Sequence, residues 1–338
     1  MPARATTEHA RRCLAALVEL DGVEVIFLPD APPDGLDPRV RSLTTGELPV
    51  GSKRQLGLEA ARAPIVALID DDAYPHPSWL ANVLDAFETD PAVAAVCGPT
   101  LTPPDEPEGG VIGGRVYATP LVGGPHRWRY HPAAACDVDD APTVNLAMRT
   151  EVALAVRLDS PYYPGDDTIV CDRIVRRGGR IRYVPGAIVY HSRRPLWRPH
   201  LRQIWGFGRH RGAFARYLGG NSRRPSYAAP SALVVWVAGG ALLGGRPRRA
   251  WTASLWLYAA ACLLAGADRS PRSWWRISAA IPATHATYGV GFLLSIVGVP
   301  LAEGRIRRVA VGDTAAGCAD DLLPCKATRQ AARGTPDA

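Results

Sequence analysis

The sequence predicts an α/β domain built on a mixed sheet and followed by membrane helices, and three features carry that expectation. Up to about residue 217, short apolar runs alternate with helical stretches, and several of those runs stop on aspartates. Near residue 229 the composition then shifts abruptly toward Ala, Leu, Val and Gly, with arginines confined to short breaks.

In chain order, residues 9–20 read as a helix with Leu14, Leu17 and Val18 on one face, and residues 23–28 as a strand ending at Pro29-Asp30. An acidic side chain at such an end either hydrogen-bonds a base or ribose or starts a turn. Residues 51–63 form the next helix, with Lys53 and Arg54 in its first turn. Cations there oppose the helix dipole, which points either to an anion such as diphosphate nearby or to a plain basic surface.

Residues 65–72 read Ile-Val-Ala-Leu-Ile-Asp-Asp-Asp. The apolar run does not alternate, so it suits a parallel strand covered on both faces, and such strands present ligand groups at their carboxyl ends. Three adjacent carboxylates repel one another. Asp70, Asp71 and Asp72 therefore suit magnesium or manganese bridging a diphosphate, or a solvated turn that caps the helix after Pro77.

A second acidic cluster stands at 163–168, Tyr-Pro-Gly-Asp-Asp-Thr, and opens a helix that ends at Arg177-Gly178-Gly179. Proline and glycine set a turn, Asp166 and Asp167 sit at the helix start, and the dipole keeps a carboxylate there ionised, as a general base requires. The same pair also suits a double N-cap. Residues 179–191 give two short strands split at Pro185-Gly186, with His191 at the far end, either a structural hydrogen-bonder or a ligand completing the site begun by Asp72. From 197 to 217 an arginine-rich amphipathic helix carries Gln203, Arg209, His210 and Arg211, able to clamp phosphates or to rest on lipid headgroups.

The chain has 338 residues and a net charge of +7, much of it from arginines between 193 and 224. An anionic lipid surface accounts for that distribution better than nucleic acid does, because no aromatic-studded basic module or zinc-finger spacing occurs. The 7 cysteines are scattered, with no close pair at metal-ligand spacing, and read as reduced, packed thiols. The polar amino terminus lacks an apolar h-region, which places the large domain in the cytoplasm. Apolar stretches at 230–245, 250–266 and 277–301 predict two to three membrane helices, only the last comfortably long enough to span, with Trp274 and Trp275 as an interfacial anchor.

The order of these parts resembles an inverting family-two glycosyltransferase of the GT-A fold, the bacterial membrane-anchored type, over roughly residues 9–217 and the helical tail. Family members pair a strand-terminal Asp-x-Asp with a Glu/Asp-Asp at a helix start, and Asp70-Asp71-Asp72 and Gly165-Asp166-Asp167 stand in those places. Pro185 through His191 is similar to the family's Pro-x-Ala-x-x-x-His strand, Pro142 through Leu146 to its acceptor-side Asn segment, and Gln203 through Gly212 to its Gln/Arg helix. The resemblance implies a Rossmann-type catalytic domain over 1–217, a linker at 218–229, membrane helices within 230–301 and a polar tail at 302–338. By the same resemblance, the donor contacts are Asp30, Lys53, Arg54, Asp70, Gln203, Arg209 and Arg211. The metal ligands are Asp72, Asp70 and His191 with Mg2+ or Mn2+, Asn145 lies on the acceptor side, and Asp167 is the base with Asp166 beside it.

Two departures stand out. Family members open with an apolar strand and Pro-x-Tyr/Arg-Asn, which this chain is expected to lack, consistent with a start codon placed late; and Arg157-Leu158-Asp159-Ser160 replaces a Gly-Gly-Phe-Asp stretch. The expected activity is metal-dependent sugar transfer from a nucleotide-sugar donor to a lipid-linked or cell-surface glycan acceptor at the inner membrane, with membrane lipid as a partner and no nucleic acid. The alternatives are a truncated, non-catalytic membrane protein that binds a sugar nucleotide or a partner, and a nucleotidyltransferase, which lacks support from any glycine-rich phosphate loop.

Overall fold

The computed structural model describes residues 1–160, 165–217, 220–268 and 270–299. Helix α1 (Glu8–Val18) starts where Thr7 accepts a hydrogen bond from the Ala10 amide, and it buries Ala10, Cys13, Leu14 and Leu17 at helical spacing. Strand β1 (Val25–Phe27) pairs in parallel with β2 (Val40–Ser42). Residues 1–3 also run beside this strand: Pro2 bridges Leu28 in parallel, the Met1 carbonyl accepts from Leu28 N–H, and Ala3 N–H donates to the Leu28 carbonyl. The expected gap beside this strand is therefore not open at Leu28, whose backbone groups are both paired.

Helix α2 (Val50–Ala60) is followed by β3 (Ile65–Leu68), β4 (Ala73–Pro75), α3 (Trp79–Thr89), β5 (Val93–Cys97) and β6 (Thr100–Leu101). After α4 (Glu108–Ala118) and α5 (Pro120–Gly123) come β7 (Cys136–Val138), β8 (Leu146–Arg149), α6 (Thr150–Val156), α7 (Asp166–Arg176), β9 (Arg180–Tyr183) and β10 (Val189–His191). The main sheet runs β3-β8-β5-β9-β7, with β5 and β9 parallel and the other pairs antiparallel; a smaller sheet runs β4-β10-β6. The predicted fold class, a mixed α/β sheet domain, is the observed one.

The environment of β3 differs from expectation. It pairs with β8 alone, antiparallel, and Ala67 is exposed, so this run is an edge strand rather than a parallel strand covered on both faces. The fully buried strand is β5, which lies between β8 and β9. An apolar run without alternation reports burial in general and does not select a strand's neighbours.

Helix α8 (Arg198–Tyr217) matches the predicted amphipathic helix, and α9 (Pro225–Gly239), α10 (Gly245–Ala265) and α11 (Pro271–Ile296) follow. Helix α9 begins inside the expected linker, because Pro225 at its first turn suits a helix start. Among the described residues one helix, α11, is long and apolar enough to cross a membrane, and half of its apolar window is buried against the rest of the chain. Its partner is α8. A Cβ on Gly208 would lie 2.3 Å from the Tyr288 carbonyl oxygen, and one on Gly212 2.4 Å from that of Phe292, so both glycines are needed for the two backbones to approach. The tail expected at 302–338 lies outside the described residues.

Candidate active site

Two buried cations at the start of α2 organise the site. Lys53 is 2% exposed and Arg54 5%, so neither forms the exposed basic surface that was one reading of them. Lys53 Nζ pairs with the Asp30 carboxylate and also donates to the Ala3 carbonyl at 2.6 Å and the Leu28 carbonyl at 3.3 Å. Arg54 uses both ends of its guanidinium: Nη1 reaches Asp166 Oδ2 at 2.5 Å and Nη2 reaches Asp70 Oδ1 at 2.7 Å. Buried charge demands a hydrogen-bonded partner of opposite sign, and here three carboxylates supply it in place of the expected anion.

Arg54 thus joins the strand-end triplet to the helix-start pair. Asp70 faces Arg54, whereas Asp72 faces the opposite way, with Oδ1 3.2 Å from His191 Nε2 and Oδ2 3.3 Å from an Arg194 nitrogen. Burial raises the Asp72 carboxyl, but the His191 hydrogen bond and the nearby charges of His191 and Arg194 outweigh it and hold the group at about 2. For Asp71 the balance falls the other way: burial first, then Asp72 and Asp70, outweigh Arg194 and push it up to about 6. That uncancelled negative charge and the hard oxygen donors fit a divalent cation. Among the described residues no group of three His, Cys, Asp or Glu side chains is gathered as a metal site, so Asp70, which is turned to Arg54, does not join Asp72 and His191 in one ligand set. His191 has a second constraint. Arg193 Nη1 lies 3.2 Å from its Nδ1 and can only donate, so in the neutral ring Nε2 carries the proton and points it at Asp72. Ligation through Nε2 would require that proton to move and Arg193 to turn away.

At the start of α7, Gly165 takes φ +112°, a conformation other residues resist, and a Cβ there would also strike the Phe214 ring at 2.6 Å. Asp166 and Asp167 follow at once; Tyr163 and Pro164 of the same motif lie outside the described residues. Asp167 Oδ1 accepts from the Thr168 amide at 2.8 Å. The helix dipole does not dominate this carboxyl: burial, then the Asp140 and Asp166 charges, push it up to about 6. Asp166 is instead tied to Arg54.

Four predicted site residues are engaged elsewhere. Asn145 is buried beneath the sheets, accepting from Trp79 Nε1 at 3.0 Å and donating to the Pro99 and Ala187 carbonyls, so its amide is spent on holding strands together and is not free for an acceptor. Gln203 Oε1 accepts from Tyr117 Oη of α4 at 3.1 Å, and Arg209 donates to the Val299 carbonyl, beyond α11, at 3.0 Å. Arg211 pairs with Asp140 at 3.0 Å.

Asp140 is the residue that sequence reasoning missed. It is 2% exposed and receives Arg129, Arg211, Tyr227 and Thr168. The available signal was the acidic run Asp137-Val138-Asp139-Asp140, a doublet like Asp166-Asp167 but without a recognisable strand end or helix start beside it.

Lys53 thus joins Asp30, Arg54 joins Asp70 to Asp166, Asp72 pairs with His191 at the same strand end as Asp70, and Asp167 follows Asp166 at the start of α7, all on a mixed α/β sheet domain of the GT-A type. The mannosyltransferase PcManGT from Pyrobaculum calidifontis, solved with GDP-Man and Mn2+, shares the fold at a TM-score of 0.54 and 18% identity over 88% of this chain and 85% of its own. Residues 1–113, the amino-terminal third of the chain, match the family described as Glycosyl transferase family 2. The pre-mycofactocin glycosyltransferases of Mycobacterium tuberculosis strains CDC 1551 / Oshkosh and ATCC 25618 / H37Rv are each 28% identical over 196 residues, 56% of this chain. The chain spans 38% of the length of these curated relatives.

Proposed function

We propose that this protein is a glycosyltransferase that moves a sugar from a nucleotide-sugar donor to a lipid-linked or cell-surface glycan acceptor, with inversion and with help from Mg2+ or Mn2+. The observation that carries the reading is the Arg54 bridge from Asp70 to Asp166, which puts a cation-suited acidic edge beside a carboxylate with a raised pKa. The family 2 match over residues 1–113 supports the donor class.

In this reading Asp30, oriented by Lys53, would receive the nucleoside end of the donor, and Asp72 would hold the divalent cation. The cation's contribution is to offset negative charge on the departing diphosphate. Asp167 takes the proton from the acceptor hydroxyl. That oxygen attacks the anomeric carbon, a new C–O bond forms, and the bond to the nucleoside diphosphate breaks with its electron pair leaving on oxygen. A carboxyl pushed up to about 6 is better matched to this task than an ordinary aspartate, because it is ionised at neutral pH yet basic enough to accept a proton. Asp166 is instead engaged by Arg54.

The carboxyl-terminal helices would hold the enzyme to the membrane that carries its acceptor. Helix α11 is long enough to span, and Trp256, Leu257, Leu264 and Trp275 are exposed on α10 and α11, as apolar surface meeting lipid would be. Radiolabelled transfer from UDP-, GDP- and dTDP-linked sugars to membrane extracts, with Mn2+ or Mg2+, tests the proposal. Product from at least one donor is expected; donor binding by calorimetry with no product from any of them would instead identify a non-catalytic sugar-nucleotide binder.

A further inference from the structure

Behind the proposed base lies a polar cluster with no part in the mechanism so far. Asp140 Oδ2 accepts from Arg211 at 3.0 Å and from Tyr227 Oη at 3.1 Å and pairs with Arg129 at 3.2 Å, while Oδ1 accepts from Thr168 Oγ1 at 3.2 Å. These four partners come from four places: Arg129 from the turn after α5, Thr168 from the first turn of α7, Arg211 from α8 and Tyr227 from α9. The cluster is reinforced from outside. Arg211 lies over the Tyr227 ring at 4.3 Å, His126 stacks on the same ring at 4.8 Å, and Arg224 pairs with the neighbouring Asp139.

A buried carboxylate with this many donors is expensive to assemble unless every member is satisfied. Burial raises the Asp140 carboxyl, yet Arg211 and Arg129 outweigh that effect and hold it well below the usual range, so it stays charged. A fixed negative charge next to the base has two consequences. It anchors Thr168, the residue after Asp167, and it disfavours ionisation of Asp167 itself.

We infer that Asp140 is a positioning residue for the base, clamping the first turn of α7 to α8 and α9 so that the Asp167 carboxylate is held in place. This inference rests on the proposed role of Asp167. It also makes the first turn of α9 part of the machinery, since Tyr227 closes the clamp.

The charges bearing on Asp167 fix the sign of the expected effect. Asp166 shares its helix and is already neutralised by Arg54; Asp140 faces it from the loop before β8, and Arg211 from α8. Arg129 pairs with Asp140 and also feels the Asp167 charge, and His210 of α8 borders Gly165. Removing the Asp140 charge leaves Arg211 and Arg129 without their counter-ion. Ionisation of Asp167 is then favoured, and it becomes a weaker base with a lower pKa.

The test compares kcat and kcat/KM against pH for the full-length wild type, Asp140→Asn and Asp167→Asn, reading nucleoside diphosphate released from the sugar nucleotide turned over fastest in the donor panel. For Asp140→Asn we expect turnover lowered about tenfold, an unchanged KM for the donor, and an acid limb displaced to lower pH by about one unit. A limb that stays in place, even with turnover reduced, would make Asp140 a brace for folding only and overturn the inference. Should Asp140→Asn fail to fold, Thr168→Val removes the hydrogen bond from the first turn of the base helix to Asp140; lowered turnover at unchanged donor KM supports the inference, and wild-type turnover overturns it. Normal turnover in Asp167→Asn would remove the base reading and this inference together, whereas a dead Asp167→Asn beside a normal Asp140→Asn would remove this inference alone.

Discussion

The acidic edge at Asp70 to Asp72 and the acidic cluster around α7 are built from the same side chain and handle its charge in opposite ways. At the strand end, burial and the Asp72 and Asp70 charges push Asp71 up to about 6 against the weaker pull of Arg194, and Asp72 faces a partly buried histidine and an exposed arginine. Around α7, Arg54, Arg129 and Arg211 compensate Asp166 and Asp140 from within the protein, leaving Asp167 as the one carboxyl raised by its surroundings. The difference teaches where ligand charge is expected. An edge with unsatisfied negative charge suits an incoming cation, and a cluster already balanced suits a fixed acid-base group.

The sharpest break of this comparison is at the base. Asp167→Asn should lower turnover by about 10²- to 10⁴-fold while donor affinity, measured by calorimetry with Mn2+, stays near wild type, because the amide keeps the shape but cannot take a proton. Loss of donor binding in this variant would merge the two centres into one. Asp72→Ala should do the reverse at the strand end, weakening Mn2+-dependent donor binding by about 10- to 100-fold, the range seen when groups supporting a metal are removed. An affinity unchanged in the presence of Mn2+ would take Asp72 out of the cation site.

A third effect concerns pH. With the Asp167 carboxyl at about 6, kcat/KM should fall as pH drops below that value. Stability should move the other way. The native group binds its proton more tightly than the unfolded one, so between an unfolded value near ~4 and about 6 its contribution declines as pH rises, and above that it is constant. Asp167→Asn should therefore melt later than wild type at pH 7, by about 1–2 kcal/mol after allowing for partial exposure, with little gain at pH 4. Equal melting temperatures at pH 7 would mean that the carboxylate is not held against its preference.

The smallest effect lies in the chain leading to α7. Arg157 has φ +56° and ψ 139°, a region suited to glycine, and its guanidinium makes an exposed pair with Asp159. The backbone there keeps a glycine-like turn although the side chain is arginine. Arg157→Gly should raise stability by about 1 kcal/mol, relief of strain being partly offset by glycine's extra freedom when unfolded, and chemical denaturation would register it as a higher midpoint. A lower midpoint would show that Arg157 holds the approach to α7 through its side chain.

Local pattern was enough for much of this protein. The helix at 8–18, the strand at 25–27, the turn at Gly178 and the amphipathic helix at 198–217 were all legible, because apolar spacing, caps and breakers act over a few residues. So were the aspartates at the strand end and at the start of α7. What needed the tertiary structure was the pairing of charge across the chain: Arg54 with residues 16 and 112 positions away, Arg211 with Asp140 71 positions away, and Asn145 spent on Trp79 and two carbonyls. The edge position of β3 and the seating of α11 on Gly208 and Gly212 belong to the same class. The sequence by itself determined which side chains were available and at which ends of which elements. Only the tertiary structure decided which carboxylates are neutralised and which are left charged, because that depends on desolvation and on partners brought together by the sheet, not on neighbours in the chain.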